Sequence, residues 1–354
     1  MRRFQFFIAL LAALMPLAAL VPLHDANAQV PAAVALPYRI VNTVFLGSPE
    51  QWDSVYYDAM TGHVFIAHGT EITVVDGDSG AMLGRVAGFA GAHGLVTIPE
   101  RGLGYAVSRD AHALEAFDLK SLEIVKSIPV SSQPDSLALD PVTNRILVTD
   151  AEQPIATIVS PSDGSAWKTV QLGGGAEQAI ADGRGRVFIN IADKREIVRL
   201  DMRTARIDAR WKISSCESPH GVAMDTKSQR LFVSCANSLL VVVNASNGQV
   251  VTSLPIGKGT DGCEFDTRRR RVLSSNGWDG TLSVITQDRD GRYRSVAEVP
   301  TAKFGRTMAL NHDTGRIYIA AADLERMDPT APNKWAQYVM KPGSVRLIFL
   351  DPVD

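Results

Sequence analysis

Apolar residues along this chain come in short bursts, each followed by a turn of Asp, Pro, Thr, Gly or Arg and then a second apolar burst. The stretch Asp135-Ser-Leu-Ala-Leu-Asp-Pro-Val-Thr-Asn-Arg-Ile-Leu-Val shows the frame most completely, and it returns at Asp53, His93, Glu177, His220, Asp261 and Arg306. Successive starts lie 40, 42, 42, 43, 41 and 45 residues apart. Bursts this short, rich in β-branched residues and bounded by turn formers, predict strands. A period of about 40–45 residues holding four such strands is that of a propeller blade. The pattern therefore predicts an all-β fold, a seven-bladed β-propeller of four-stranded antiparallel blades.

Within the fifth repeat the expected strands are 221–224, 230–234, 238–243 and 249–254, with Gly248 free to take positive φ in the last turn. The seventh repeat offers strands only near 308–310, 316–320 and 344–350 before the chain ends. Tyr38–Phe45, ahead of the first repeat, is the expected donor of its missing outer strand. That pairing would close the ring and leave no open sheet edge between the termini.

Residues 1–28 fall outside the repeats. Arg2 and Arg3 precede an apolar run from Phe4 to Leu23, and Ala26-Asn27-Ala28 supplies small residues for cleavage. This reads as a secretory signal peptide, which predicts a periplasmic or secreted protein with Gln29 first. An uncleaved anchor is the alternative; Pro16, Pro22 and the cleavage site argue against it. Residues 29–37 read as a short linker and 38–354 as one propeller domain. No second stretch approaches the ~20 apolar residues of a membrane span.

Loss of residues 1–28 removes two Arg and one Asp, moving the formal charge from −2 to −3. Such a balance gives no general attraction for nucleic acid. The one dense basic run, Arg268 to Arg271, falls in a turn between first and second strands and reads as a solvated surface. A monomer is expected. Three cysteines in an oxidising compartment predict one disulfide and one leftover thiol. Cys216 and Cys235 flank the first two strands of the fifth repeat on one face, so they are the expected pair; Cys263, inside an inner strand, is the expected buried thiol.

The repeat resembles that of the YVTN or YncE-like seven-bladed propellers, within the wider WD-repeat-like group. The residues that carry the resemblance are Pro134-Asp-Ser-Leu-Ala-Leu-Asp-Pro, Pro219-His-Gly-Val-Ala-Met-Asp and Thr260-Asp-Gly-Cys-Glu-Phe-Asp, with Arg145-Ile-Leu-Val, Arg230-Leu-Phe-Val and Arg316-Ile-Tyr-Ile following at matching distances. It covers Tyr38 to Asp351 and implies an architecture, and an exported protein, without implying a reaction.

Mapped onto that architecture, the repeat starts place one residue per blade around one mouth of the central channel: Asp53, His93, Asp135, Glu177, His220, Asp261 and Arg306. Four carboxylates, two imidazoles and a guanidinium in one funnel form a candidate ligand site, in which crowded like charges would raise some carboxyl pKa values. An Asp at this point of the repeat is also a common turn residue; His is not. His68 and His112, between second and third strands, map to the same face, whereas His63 and His312 map to the opposite turns. His with carboxylates suits a divalent metal, with His93, His220, Glu177, His68 and His112 as candidate ligands. Gluconolactonase-like propellers, similar to this chain in architecture only, take metal ligands from inner-strand starts. Trp278 and Asp279, and the long segment from Asp323 to Gly343 with Lys334, Trp335, Tyr338 and Lys341, add further candidate contacts or a lid; a tight turn and a crossing packed on the seventh blade explain them as well.

Two functions follow from these residues. One is a binding or scaffold module that presents the funnel face to a small ligand or periplasmic protein. The other is a metal-dependent hydrolase or lyase, acting for example on a lactone. No nucleophile elbow, phosphate loop or Cys-X-X-Cys-His haem motif occurs in the chain.

Overall fold

The computed structural model describes residues 36–331 and 337–354; the signal-peptide segment 1–28, most of the linker 29–37, and Lys334 and Trp335 lie outside the described residues. Seven four-stranded antiparallel sheets make up the described chain, with one further two-stranded hairpin. The fifth blade runs Pro219–Asp225, Arg230–Cys235, Leu239–Asn244 and Val250–Pro255, within one or two residues of the expected limits. The seventh blade is assembled from both ends of the propeller. Its order is Thr307–Leu310, Ile317–Ala321, Arg346–Pro352 and then Tyr38–Phe45, with Tyr38 opposite Pro352 and Phe45 opposite Arg346.

The recurring Asp has a local cause. At the end of the innermost strand it accepts backbone N–H bonds from the turn that follows, as Asp58 does from Met60 (2.9 Å), Asp140 from Thr143 (3.0 Å) and Asp225 from Lys227 (3.0 Å). This side-chain cap holds the hairpin that turns the chain outward. The second blade lacks that Asp and uses a short 3-10 turn, Pro99–Arg101, ended by Gly102 at φ 67°.

Blades hold one another through apolar faces. Seven buried clusters lie one at each junction between neighbouring blades. Burial of these faces, blade on blade, supplies the main driving force of such a ring. At the closing junction Tyr318 donates its hydroxyl to the Gly77 carbonyl of the first blade (3.0 Å) and stacks on Tyr57. The velcro strand is thus backed by a specific contact between the last blade and the first.

Cys216 and Cys235 form a disulfide, with Cα atoms 5.3 Å apart, and Cys263 is a buried free thiol. Arg268 to Arg271 are less solvated than expected. Arg269 forms a paired contact with Asp354 (2.7 and 2.8 Å), Arg270 binds Gln287 and the Asp288 carbonyl, and Arg268 reaches the Asp313 carbonyl. The basic run is absorbed by its turn and by the C-terminal residue. Among the described residues no helix is long and apolar enough to cross a membrane.

Candidate functional site

In each of blades two to six the repeat-start residue falls at or beside the first register irregularity of the innermost strand. The pairing skips between Ala92 and Leu95, Pro134 and Leu137, Ala176 and Ala179, Pro219 and Val222, and Thr260 and Gly262. A bulge lifts a residue out of the ladder and re-aims its side chain. The repeat frame thereby presents His93, Asp135, Glu177, His220 and Asp261 outside the regular pairing.

These side chains meet. Arg306 lies between two carboxylates, with Nη2 3.2 Å from Asp53 Oδ2 and Nε 2.9 Å from Asp261 Oδ2. His220 Nδ1 stands 3.5 Å from Glu177 Oε2 and 3.7 Å from Asp261 Oδ1. His93 Nε2 is 4.0 Å from Asp53 Oδ2. Asp135 pairs with Arg109, a residue of the loop joining the second blade's second and third strands. The side chains of this ring keep between 15% and 32% of their accessibility, so they reach water while sitting largely within protein.

Electrostatics follow from that crowding. Burial pushes the Asp135 carboxyl up to about 7, helped by the Asp53 charge, and Arg109 does not offset it. Burial likewise pushes Asp261 up to about 6 against the pull of Arg306 and His220. Burial works against the charged form of His220, but the Glu177 contact and the Asp261 charge outweigh it and push the imidazole up to about 9. At Asp53, burial is outweighed by His93, Arg306 and Arg109, so its carboxyl sits below the usual range. Four carboxylates face two guanidinium groups, and the ring draws protons to make up the difference.

Of the residues expected as metal ligands, Glu177 and His220 come together, and Asp261 joins them. One donor atom from each fits within 4.8 Å of the others, which no other set of His, Cys, Asp and Glu achieves among the described residues. His68 and His112 are not in this set. His68 is fully buried beneath the first blade's loop, its ring nitrogens taken by Thr73 Oγ1 (2.9 Å) and the Pro49 carbonyl (2.5 Å), so it is a core histidine. His112 is exposed at a φ of 54° and bonds the Ser132 carbonyl (2.5 Å), a loop-fixing role. His93 binds the Gly91 carbonyl (3.0 Å) and faces Asp53 on the other side of the ring from Glu177. His63 is half-buried and His312 exposed.

Two members of the ring escaped the sequence reading. Arg109 stands three residues before His112 in the same loop, and its signal was an Arg in a loop already mapped to the mouth. Gln178 donates its side-chain amide to the Asp261 carbonyl (2.8 Å), joining blades four and six, and an uncharged Gln gave no signal.

Beside the ring, the segment after Asp323 pairs Leu324–Met327 with Tyr338–Met340 in a short hairpin. Tyr338 packs on Trp278 and Phe304, with ring centroids 4.9 and 5.6 Å away, and the three border a cavity of about 600 Å³ with Lys303, Asp323 and Arg346. Asp279 accepts the Lys258 N–H (2.8 Å), a turn contact.

No family model matches the chain, and no curated protein matches it. Solved structures do. A chain of a mitotic checkpoint complex aligns at a TM-score of 0.73 with 12% identity, covering 96% of this chain and 100% of that one. The WD40 repeats of RRP9 align at 0.72 with 8% identity, covering 89% and 97%. Hydrazine synthase from Kuenenia stuttgartiensis aligns at 0.68 with 14% identity, covering 75% and 91%. The chain is a seven-bladed β-propeller. At these identities the likeness extends to the fold and no further.

Proposed function

We propose that the protein is an exported, YncE-like binding propeller that takes a positively charged ligand, or a basic segment of a protein partner, at the mouth ringed by Asp53, Asp135, Glu177 and Asp261. The observation that carries this reading is the acidic excess of that ring: four carboxylates against Arg109, Arg306 and the protonated His220, which leaves one negative charge at pH 8, presented at one mouth by a rigid fold. A funnel lined by excess acid focuses its field on cations and raises their local concentration. The first residues support export, and the Cys216–Cys235 disulfide suits an oxidising compartment. The chain from a mitotic checkpoint complex belongs to a multi-protein assembly, a use for which a rigid ring needs only a complementary surface.

Calorimetric titration of a Lys/Arg hexapeptide into the protein at pH 8 and low salt tests the reading. Binding should weaken with salt and fall about tenfold or more in Asp135→Asn/Asp261→Asn, as expected for charge steering. A control pair on the opposite turns, Glu100→Gln/Asp163→Asn, should bind normally. No binding by the unaltered protein, or equal binding by the mouth variant, would sink it.

A second reading, a metal-dependent hydrolase or lyase, draws on the Glu177, His220 and Asp261 cluster. A bound ion there would polarise a carbonyl or activate water. Lactone and ester turnover with added zinc, absent in His220→Ala, is the result that would favour it.

A further inference from the structure

The geometry points to a divalent transition-metal site of zinc type at the mouth, built from Glu177, His220 and Asp261 on three successive blades. It rests on the mouth being the binding face and narrows one part of that face to a metal ion.

Donor spacing comes first. Ligand atoms around a tetrahedral ion with bonds of about 2.0–2.2 Å stand roughly 3.3–3.6 Å apart. His220 Nδ1 is 3.5 Å from Glu177 Oε2 and 3.7 Å from Asp261 Oδ1, and all three donors fit within 4.8 Å. Small side-chain rotations bring them to one centre.

The second observation concerns the hydrogen bonding of His220 itself. His220 Nδ1 is buried and makes no regular hydrogen bond, although it is the atom turned toward both carboxylates. Its contacts to the two carboxylates, at 3.5 and 3.7 Å, are longer than a regular N–H···O hydrogen bond. An ion at that position would fill the gap. The other ring nitrogen, Nε2, meets Ser218 Oγ at 3.4 Å, which orients the imidazole from behind as metal-bound histidines require.

The surroundings hold the donors in place. Arg306 Nε takes Asp261 Oδ2 at 2.9 Å and leaves Oδ1 for the site. Gln178 fixes the Asp261 backbone carbonyl, and Asn190 Nδ2 fixes that of His220 (2.8 Å). The Cys216–Cys235 bond closes the loop that leads into His220. Three protein ligands of nitrogen and oxygen suit zinc and its neighbours, and leave room for water or a ligand group. The two carboxylates match the ion's charge, and His220 gives up any proton as it binds. Arg306 adds an opposing charge, so moderate rather than extreme affinity is expected. The opposite half of the ring has no such set, because Arg109 occupies Asp135 and His93 meets only Asp53 there.

The test uses the full exported protein without a polyhistidine tag, stripped with EDTA and then titrated with zinc alone and, separately, with cobalt(II). The unaltered protein and the opposite-turn variant Glu100→Gln/Asp163→Asn should each bind one equivalent, with cobalt giving visible absorption of a low-coordinate site. His220→Ala and Glu177→Gln should bind about 10–100-fold more weakly, the range for loss of a group that builds such a site. Circular dichroism and the melting temperature of each metal-free variant report whether it folds, and Glu177→Gln covers the case in which His220→Ala does not. No stoichiometric ion in the unaltered protein, or equal affinity in a folded His220→Ala or Glu177→Gln, overturns the site. Hexapeptide binding by the metal-free protein, which depends on Asp135 as well, reports separately on the mouth: a failed ion with intact peptide binding removes the metal site alone.

Discussion

Gln178 donates its side-chain amide to the backbone carbonyl of Asp261 across 2.8 Å, and so ties blade four to blade six past the blade between them. The ion pairs of the mouth, by contrast, join neighbouring blades. This bond fixes the Asp261 backbone beside His220 without using its carboxylate. Gln178→Ala should cost about 1 kcal/mol, the usual net worth of one hydrogen bond, and lower the melting temperature by roughly 1–2 °C. Differential scanning calorimetry checks it; an unchanged melting point would show the link to be idle.

Arg306 is the cation shared by Asp53 and Asp261, at 3.2 and 2.9 Å. Removing it takes one counter-charge from each of two crowded carboxylates. With water reaching the ring, Arg306→Ala should destabilise by about 2–3 kcal/mol, below the 3–5 of a fully buried pair. Because both acids lose a counter-charge, the loss should be larger at pH 8 than at pH 5. Urea melts at the two values decide this, and an equal loss would contradict it.

Stability as a whole should decline from pH 6.5 to 9. His220, pushed up to about 9, contributes stability that is complete below its unfolded value of 6.5 and lost as pH rises through 9. Asp135, pushed up to about 7, and Glu264, pushed up to about 8 by burial, also hold protons that the unfolded chain has released. The folded state therefore binds more protons throughout this window, and the unfolding free energy falls as pH rises. Below 6.5 the imidazole of His68, lowered by burial, works in the opposite sense. A melting temperature about 5 °C lower at pH 9 than at pH 6.5 is expected; a rise over that range would refute the assignment.

Glu264 isolates one part of that slope. Burial alone shifts its carboxyl, with no compensating charge. Glu264→Gln removes the charge and keeps the shape, so it should stabilise by about 1–2 kcal/mol at pH 8 and change little at pH 5, once its partial access to water is discounted. Paired thermal melts give the answer, and stabilisation of equal size at both pH values would point to another cause.

The disulfide spans 19 residues of the fifth blade. Breaking a loop of that length costs about 3 kcal/mol in the chain-entropy account. Cys216→Ser/Cys235→Ser should lose about that much in chemical denaturation, while an unchanged midpoint would mean that the surrounding blade holds the loop without it.

The fold was legible because its signal repeats. Every frame carries the inner-strand apolars, and most carry the turn Asp and the following Arg, so a departure at one blade is corrected by the others. Closure by Tyr38–Phe45 was legible because the last repeat lacked a strand and the first was preceded by one. The site was legible in its membership and not in its pairings. Sequence order places one residue per blade at the mouth, but it does not say that Glu177, His220 and Asp261 converge while His93 faces Asp53. His68 misled because second-to-third-strand loops share a face with the channel yet lie further from its axis, where a histidine is used by the core. Arg109 and Gln178 were missed because neither occupies the repeat-start position; their role comes from side-chain reach across blades, which no local pattern encodes.

The proposed binding face is the mouth ringed by Asp53, Asp135, Glu177 and Asp261. Photo-crosslinking of the Lys/Arg hexapeptide, followed by mass-spectrometric mapping, tests it most directly. The expected adducts lie in mouth-side loops, at Arg109 to His112, Ser218 and Trp278, and disappear in Asp135→Asn/Asp261→Asn. Adducts confined to the opposite turns, such as Val142 to Asn144 or Asp163, would contradict the account.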